Sequence, residues 1–237
     1  MLKRFGGRHP NIITLLATIT RKESSRREQY YLLFPWAECD LLGYWKRIGK
    51  PRRDHESFKW ISDQCHGIIG AIDFIHDPKE LDDDGNWLYG RHGDIKPENI
   101  LCFKRDGKEI LVLSDLGLTA VHRRVSRSNQ RGKSIPMSPI YRPPECDMDG
   151  QTGFVSQSFD IWTLGCLFLE FVVWTLCGWE GRIEFNSERY ALHINGSETN
   201  GYFDATRLEN ELNRGEFKIK DKVVEASTRP VNSEVQC

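Results

Sequence analysis

The sequence predicts an α+β fold, mostly helical, with a small piece of sheet at its start. Three features predict it. Two short runs rich in β-branched and aromatic residues come first, IITLLAT at 12–18 and YYLLF at 30–34. From Ser57 to His76, Phe58, Ile61, Cys65, Ile68, Ile69, Ile72 and Ile75 recur at three- and four-residue spacing, the stripe of an amphipathic helix. Residues 161–177, IWTLGCLFLEFVVWTLC, are apolar nearly all round.

The elements follow in order. The two opening runs read as buried strands joined by a charged, solvated turn, RKESSRREQ. A helical pattern over 36–48 is built on Leu41, Leu42, Tyr44 and Trp45. The 57–76 helix ends at Asp77-Pro78, because the residue before a proline avoids helical geometry. Strands at 100–103 and 110–114 flank KRDGKE, whose Asp106-Gly107 pair suits a hairpin turn. Residues 118–137 carry five basic residues and no acidic one, with the Gly, Ser, Asn and Pro content of a mobile loop. A bilayer span needs about 20 apolar residues, and the 161–177 run is shorter and interrupted by Glu170. It reads as the buried central helix of a globular domain. Beyond Gly178 the periodicity weakens and the chain is polar.

The charge balance narrows the function. Lys and Arg total 33 against 34 Asp and Glu, a net charge of -1 over 237 residues. That balance argues against a general nucleic-acid or acidic-membrane binder. Seven scattered cysteines without a CxxC pair fit a reducing, intracellular compartment, cytoplasm or nucleus, better than a disulfide framework or a zinc site.

The chemistry concentrates in His92-Gly93-Asp94-Ile95-Lys96-Pro97-Glu98-Asn99. An acid, a lysine two residues on and an amide five residues on are the set phosphoryl transfer needs. The carboxylate takes or orients the proton of an attacking hydroxyl, the lysine neutralises the moving group, and the amide oxygen holds a metal ion. Asp115-Leu116-Gly117 follows a strand and offers a second carboxylate to the same metal. Further on lie SPIYRPPE at 138–145 and DIWTLG at 160–165.

These four motifs, in this order, resemble the eukaryotic protein kinase family, serine/threonine type: catalytic loop, metal motif, end of the activation segment and start of the central helix. The phrases LLFPWAECDLLGYW and YGRHGDIKPENIL resemble a group of divergent fungal kinase-like proteins. The resemblance covers residues 1–180. It implies residues 1–37 as the end of a β-rich upper lobe and the hinge, 38–180 as the helical lower lobe, and 181–237 as a divergent polar tail. It implies ATP and Mg2+ as cofactors and a protein Ser/Thr hydroxyl as acceptor, with no nucleic acid or membrane as partner.

The resemblance also implies roles. Asp94 is the base and Lys96 its partner on the phosphoryl group; Asn99 and Asp115 hold magnesium. Leu33 guards the back of the adenine pocket, Phe34 to Ala37, Trp36 included, form the hinge, and Asp40 reaches the ribose. Ser138 bonds Asp94 and Lys96 and helps seat the substrate peptide. Leu2, Leu15, His92 and Leu116 stack into a spine anchored by Asp160. Glu145 pairs with a late arginine, for which Arg214 and Arg229 are candidates. The 123–133 loop reads equally as a docking site for acidic groups and as a solvated surface; Ser126, Ser128, Ser134 and Ser138 are candidate phosphosites.

Gly93 stands where many family members have an arginine, Leu116 where most have phenylalanine, and no GxGxxG occurs. The family's strand lysine and helix glutamate would lie upstream of Met1. The expectation is an incomplete catalytic domain of marginal stability, with exposed strand edges. The alternatives are a catalytically impaired kinase-like scaffold, an aminoglycoside- or choline-type phosphotransferase, and a truncated or mispredicted gene product.

Overall fold

The computed structural model describes residues 5–22, 28–77, 79–81, 83–85, 87–116, 120–123, 140–146, 157–192, 198–207 and 215–228. Strands β1 (Ala17–Lys22) and β2 (Glu28–Leu33) form an antiparallel hairpin in which Ala17 pairs with Leu33. The predicted first strand at 12–18 is thus displaced. Ile12 and Ile13 are buried, and Ile12 forms an isolated parallel bridge to Leu113 instead. All six residues of β2 are exposed, since no second layer among the described residues covers the hairpin.

The chain then forms β3 (Cys39–Asp40) and helix α1 (Leu41–Ile48). The 36–48 pattern starts late because Asp40 is the cap: its Oδ1 accepts the Gly43 N–H at 2.7 Å, satisfying an amide that has no partner within the helix. Helix α2 (His55–His76) begins two residues before the predicted Ser57 for the same reason, with Asp54 Oδ1 accepting from Ser57 N at 2.8 Å. Next come β4 (Leu88–Arg91), β5 (Ile100–Arg105) and β6 (Lys108–Leu113). Asp106 and Gly107, both at positive φ (49° and 78°), make the β5–β6 turn as expected. Strand β7 (Ala120–Arg123) pairs with β4, so part of the segment read as a loop is strand.

Helix α3 (Gln157–Glu188) contains the apolar run. It is long and apolar enough to cross a membrane by length and composition, but Leu164, Leu167, Phe171 and Trp174 pack into the main core with Leu41, Trp45, Ile68 and Ile72. Gly178 (φ 80°, ψ -169°) breaks it into two rods. At this break the Trp179 N–H donates to Gly49 O at 2.7 Å, and a Cβ on residue 178 would sit 3.0 Å from Lys50 Cβ. Glycine alone supplies both the torsion and the room.

The polar tail read after residue 180 is corrected. α3 continues to Glu188, followed by β8 (Ala191–Leu192), β9 (Glu198–Thr199), the antiparallel pair β10 (Phe203–Arg207) and β11 (Gly215–Ile219), and helix α4 (Asp221–Thr228). Tyr202, Cys166, Val173, Phe185 and Tyr141 build a second small core that joins this region to α3.

Candidate active site

A sheet ordered β3-β5-β6 places the site. Residues 92–99 connect β4 to β5, and Asp115 and Leu116 follow β6, so the two motifs leave neighbouring strands. Edge strand β6 is held by side chains. Leu111 N donates to Gln64 Oε1 at 2.8 Å, and Asn11 Nδ2 donates to Leu111 O at 2.8 Å.

Three predicted residues meet directly. Lys96 Nζ lies 2.7 Å from Asp94 Oδ2. Asn99 Nδ2 donates to Asp94 O and to Asp94 Oδ2, both at 2.8 Å. The loop doubles back through a 3-10 turn at Pro97–Asn99, which brings a residue five positions on against the acid. Asp94 and Asn99 are buried, while Lys96 keeps its head partly in solvent.

His92 links the two motifs. The Asp94 N–H donates to its Nδ1 at 3.2 Å, which leaves the proton on Nε2 to donate to Ser114 O at 2.9 Å. Burial holds this imidazole below its ordinary pKa of 6.5, which keeps that neutral tautomer. Ser114 returns the connection through Oγ and N to Asn99 O at 2.9 and 2.8 Å. Asp115, the next residue, is exposed and left-handed (φ 55°), a conformation short polar side chains tolerate.

Asp160 lies under the loop, fully buried. Its Oδ2 accepts from His92 N at 2.7 Å and meets His76 Nε2 at 2.8 Å, and its Oδ1 accepts from Gly93 N at 2.8 Å. One carboxylate therefore ties α2, the loop after β4 and α3. His76 and Ser114 were not among the predicted residues. His76 closes the 57–76 stripe and carried no separate signal.

Several expectations are not met by the placement. Leu33 is 50% exposed and Trp36 92% exposed, so among the described residues neither closes a pocket; Phe34 and Ala37 are half-buried. The cause is the single-layered hairpin from which they emerge. Asp40 spends one carboxylate oxygen on the α1 cap and stands opposite Leu101 in the β3–β5 register. Leu116 joins the main core, whereas Leu15 is half-buried outside it, and Phe5 and Ile12 pack there instead. Leu2 and Ser138 lie outside the described residues, as do Arg214 and Arg229. Glu145 is half-buried in the 3-10 turn Pro144–Cys146.

The buried acid that gathers arginines is Glu170, which the sequence reading used only as a mark against a membrane span. Its Oε1 accepts from Tyr202 at 2.6 Å and Tyr141 at 3.0 Å, with Arg189 Nη2 at 3.6 Å. Its Oε2 meets Arg182 Nη2 at 2.5 Å as an ion pair without hydrogen-bond angles. Burial first, then the Glu170 charge, pushes both tyrosine hydroxyls well above their ordinary range, so they remain donors. Tyr141 belongs to the SPIYRPPE motif, so this cluster holds that segment to α3.

The donor set suits a hard divalent cation. Asn99 uses its Nδ2 on Asp94, which leaves Oδ1 as an oxygen donor, and Asp115 offers a carboxylate. No cluster of three or more His, Cys, Asp or Glu fit to hold a metal occurs among the described residues. A site of one carboxylate and one amide oxygen, completed by water and phosphate, is how Mg2+ is usually held.

Comparison with known proteins agrees with this geometry. The chain is 26% identical over 163 residues to the serine/threonine-protein kinase SSN3 of Pyricularia oryzae, covering 69% of this chain and 29% of that protein. It is 29% identical over 145 residues to the probable cyclin-dependent kinase 8 of Dictyostelium discoideum, covering 60% of this chain and 34% of the relative. Against cyclin-dependent kinase 4 of Mus musculus it is 25% identical over 167 residues, covering 68% and 46%. The chain thus spans less than half the length of these relatives. The family model for the protein kinase domain matches residues 1–199, and the chain belongs to the protein kinase family.

Proposed function

We propose that this chain carries the catalytic-loop portion of a serine/threonine protein kinase, which transfers a phosphoryl group from Mg-ATP to a protein hydroxyl. The observation that carries the reading is the Asp94–Lys96–Asn99 cluster, bound within 2.7–2.8 Å and tied through His92 to the Asp115 motif. Asp94 Oδ2 is occupied by Lys96 and Asn99, so Oδ1 is the oxygen offered to the proton of a substrate hydroxyl. Lys96 neutralises charge on the transferred group. Asn99 Oδ1 and Asp115 would hold Mg2+, which when bound screens the phosphate charge. The residues carried over as Phe34, Trp36, Ala37 and Asp40 would face the nucleotide. The setting we infer is intracellular, in keeping with scattered cysteines that are free where described.

A second reading, a kinase-like scaffold without turnover, draws support from the exposure of Leu33 and Trp36. Two measurements separate the readings. Mg-ATP raises Tm if nucleotide binds the folded chain. Phosphate transfer to a generic basic protein, lost in Asp94→Ala, marks the enzyme. Nucleotide binding without transfer favours the scaffold, and absence of both counts against either nucleotide role.

A further inference from the structure

Cys39 and Cys102 stand directly opposite each other in the antiparallel register of β3 and β5. Residues paired in this way share a face, with Cα atoms about 4.5–5.5 Å apart. That lies inside the roughly 4.4–6.8 Å that a disulfide spans. Cys102 is fully buried in the main core and Cys39 packs against its edge, half-buried. Both are free thiols. We propose that Cys39 and Cys102 are a reversible disulfide site, oxidised by hydroperoxides, that joins the strand following residues 34–37 to the strand leaving the catalytic loop.

The surroundings distinguish this pair from Cys65. The Arg47 guanidinium lies near both sulfurs and favours their thiolates, and it is itself placed by Glu38 at 3.5 Å and Glu109 at 3.0 Å. Burial, joined at Cys102 by the Glu109 charge, outweighs that attraction. It raises the Cys39 thiol and lifts Cys102 to about 12. The pair therefore responds slowly, through Cys39, which has the solvent access. Cys65, raised by burial to about 11, has no such cation beside it.

The chemistry balances with the hydroperoxide as oxidant. The Cys39 thiolate attacks one peroxide oxygen, the O–O bond breaks, and the departing oxygen leaves as water or alcohol after taking a proton. Cys39 is then a sulfenic acid. The Cys102 sulfur attacks the Cys39 sulfur, the S–O bond breaks, and the hydroxyl leaves as water with the Cys102 proton. Two thiols lose two electrons and one peroxide gains them. The site stands whether or not the chain transfers phosphate.

The test treats the whole chain with hydrogen peroxide, blocks the remaining thiols and maps peptides by mass without reduction. The expected result is a Cys39–Cys102 linked peptide, two hydrogens lighter than its parts, lost on reduction. Tm should rise by several degrees on oxidation and return on reduction, because the bond closes a long loop of the unfolded chain. Cys39→Ser, at a half-buried position, should fold and lose both responses. Recovery of Cys39 unlinked from Cys102, or a Tm response that persists in Cys39→Ser, overturns the proposal.

Discussion

Tyr202 donates its hydroxyl hydrogen to Glu170 at 2.6 Å, across 32 residues of chain and inside a core where neither side chain reaches solvent. The contact joins the region after Gly178 to the middle of α3. Replacing Glu170 by Gln keeps the shape but removes the one carboxylate that Arg182 and Arg189 meet among the described residues. The expected loss is about 3–5 kcal/mol, read as a fall in urea midpoint at constant slope. Tyr202→Phe removes one donor and should cost roughly 1–3 kcal/mol. A neutral Glu170→Gln would show that the cluster does not brace the fold.

Asp94→Asn separates chemistry from structure. The amide can still accept from Asn99, so the loop should keep its path, while the carboxylate proposed to take the proton is gone. Transfer should fall by about 10²–10⁴-fold, with an unchanged Mg-ATP shift in Tm. Parallel loss of nucleotide binding would mean that Asp94 acts by holding the loop.

His92 sets a pH dependence. Its folded pKa lies below 6.5 because burial disfavours the cation. Below pH 6.5 the unfolded chain takes up a proton that the folded chain refuses. The stabilising contribution is therefore complete above that pH and is lost as pH falls towards the folded pKa. Urea midpoints should drop from pH 7.5 to 5.5, with a shallower drop in His92→Gln. Equal slopes in the two proteins would exclude His92 as the source.

Gly67 is fixed by a neighbour far away in sequence. A Cβ there would lie 2.7–2.8 Å from the Asn11 amide atoms, the same amide that holds Leu111 O. Gly67→Ala should cost roughly 1–3 kcal/mol by overpacking. The cost should shrink in an Asn11→Ala background, a coupling that a double-mutant cycle measures.

How much was legible in the sequence depended on how local each feature was. Asp94, Lys96 and Asn99 touch because a short turn folds five residues back, so their spacing was enough. The 57–76 helix declared itself by periodicity. Asp40 and Asp54 cap α1 and α2, but neither was read as a cap in the sequence, so the starts of both helices came from the structure. The run at 12–18 was apolar for burial against Leu113 rather than for pairing in a sheet, and composition does not separate those outcomes. Strand β4, LYGR, is four residues long and finds β7 across residues 92–119, so no local pattern marked it. Glu170 was conspicuous in its apolar run, but its partners Tyr141, Arg182, Arg189 and Tyr202 lie on both sides of it and far apart. The small core around Tyr202 escaped for the same reason.

The break at Gly178 and the position of Glu170 also order events on the ribosome. The apolar partners of α3, namely Trp45, Ile68, Ile72 and Leu113, are all synthesised before it, so its greasy face has a surface to meet as it emerges. Glu170, buried midway along it, has only Tyr141 in place by then. Arg182, Arg189 and Tyr202 are translated later. A nascent chain that stops short of Tyr202 holds a docked helix with an incompletely neutralised carboxylate. Final locking of the segment around Tyr141 therefore waits on the synthesis of Arg182, Arg189 and Tyr202.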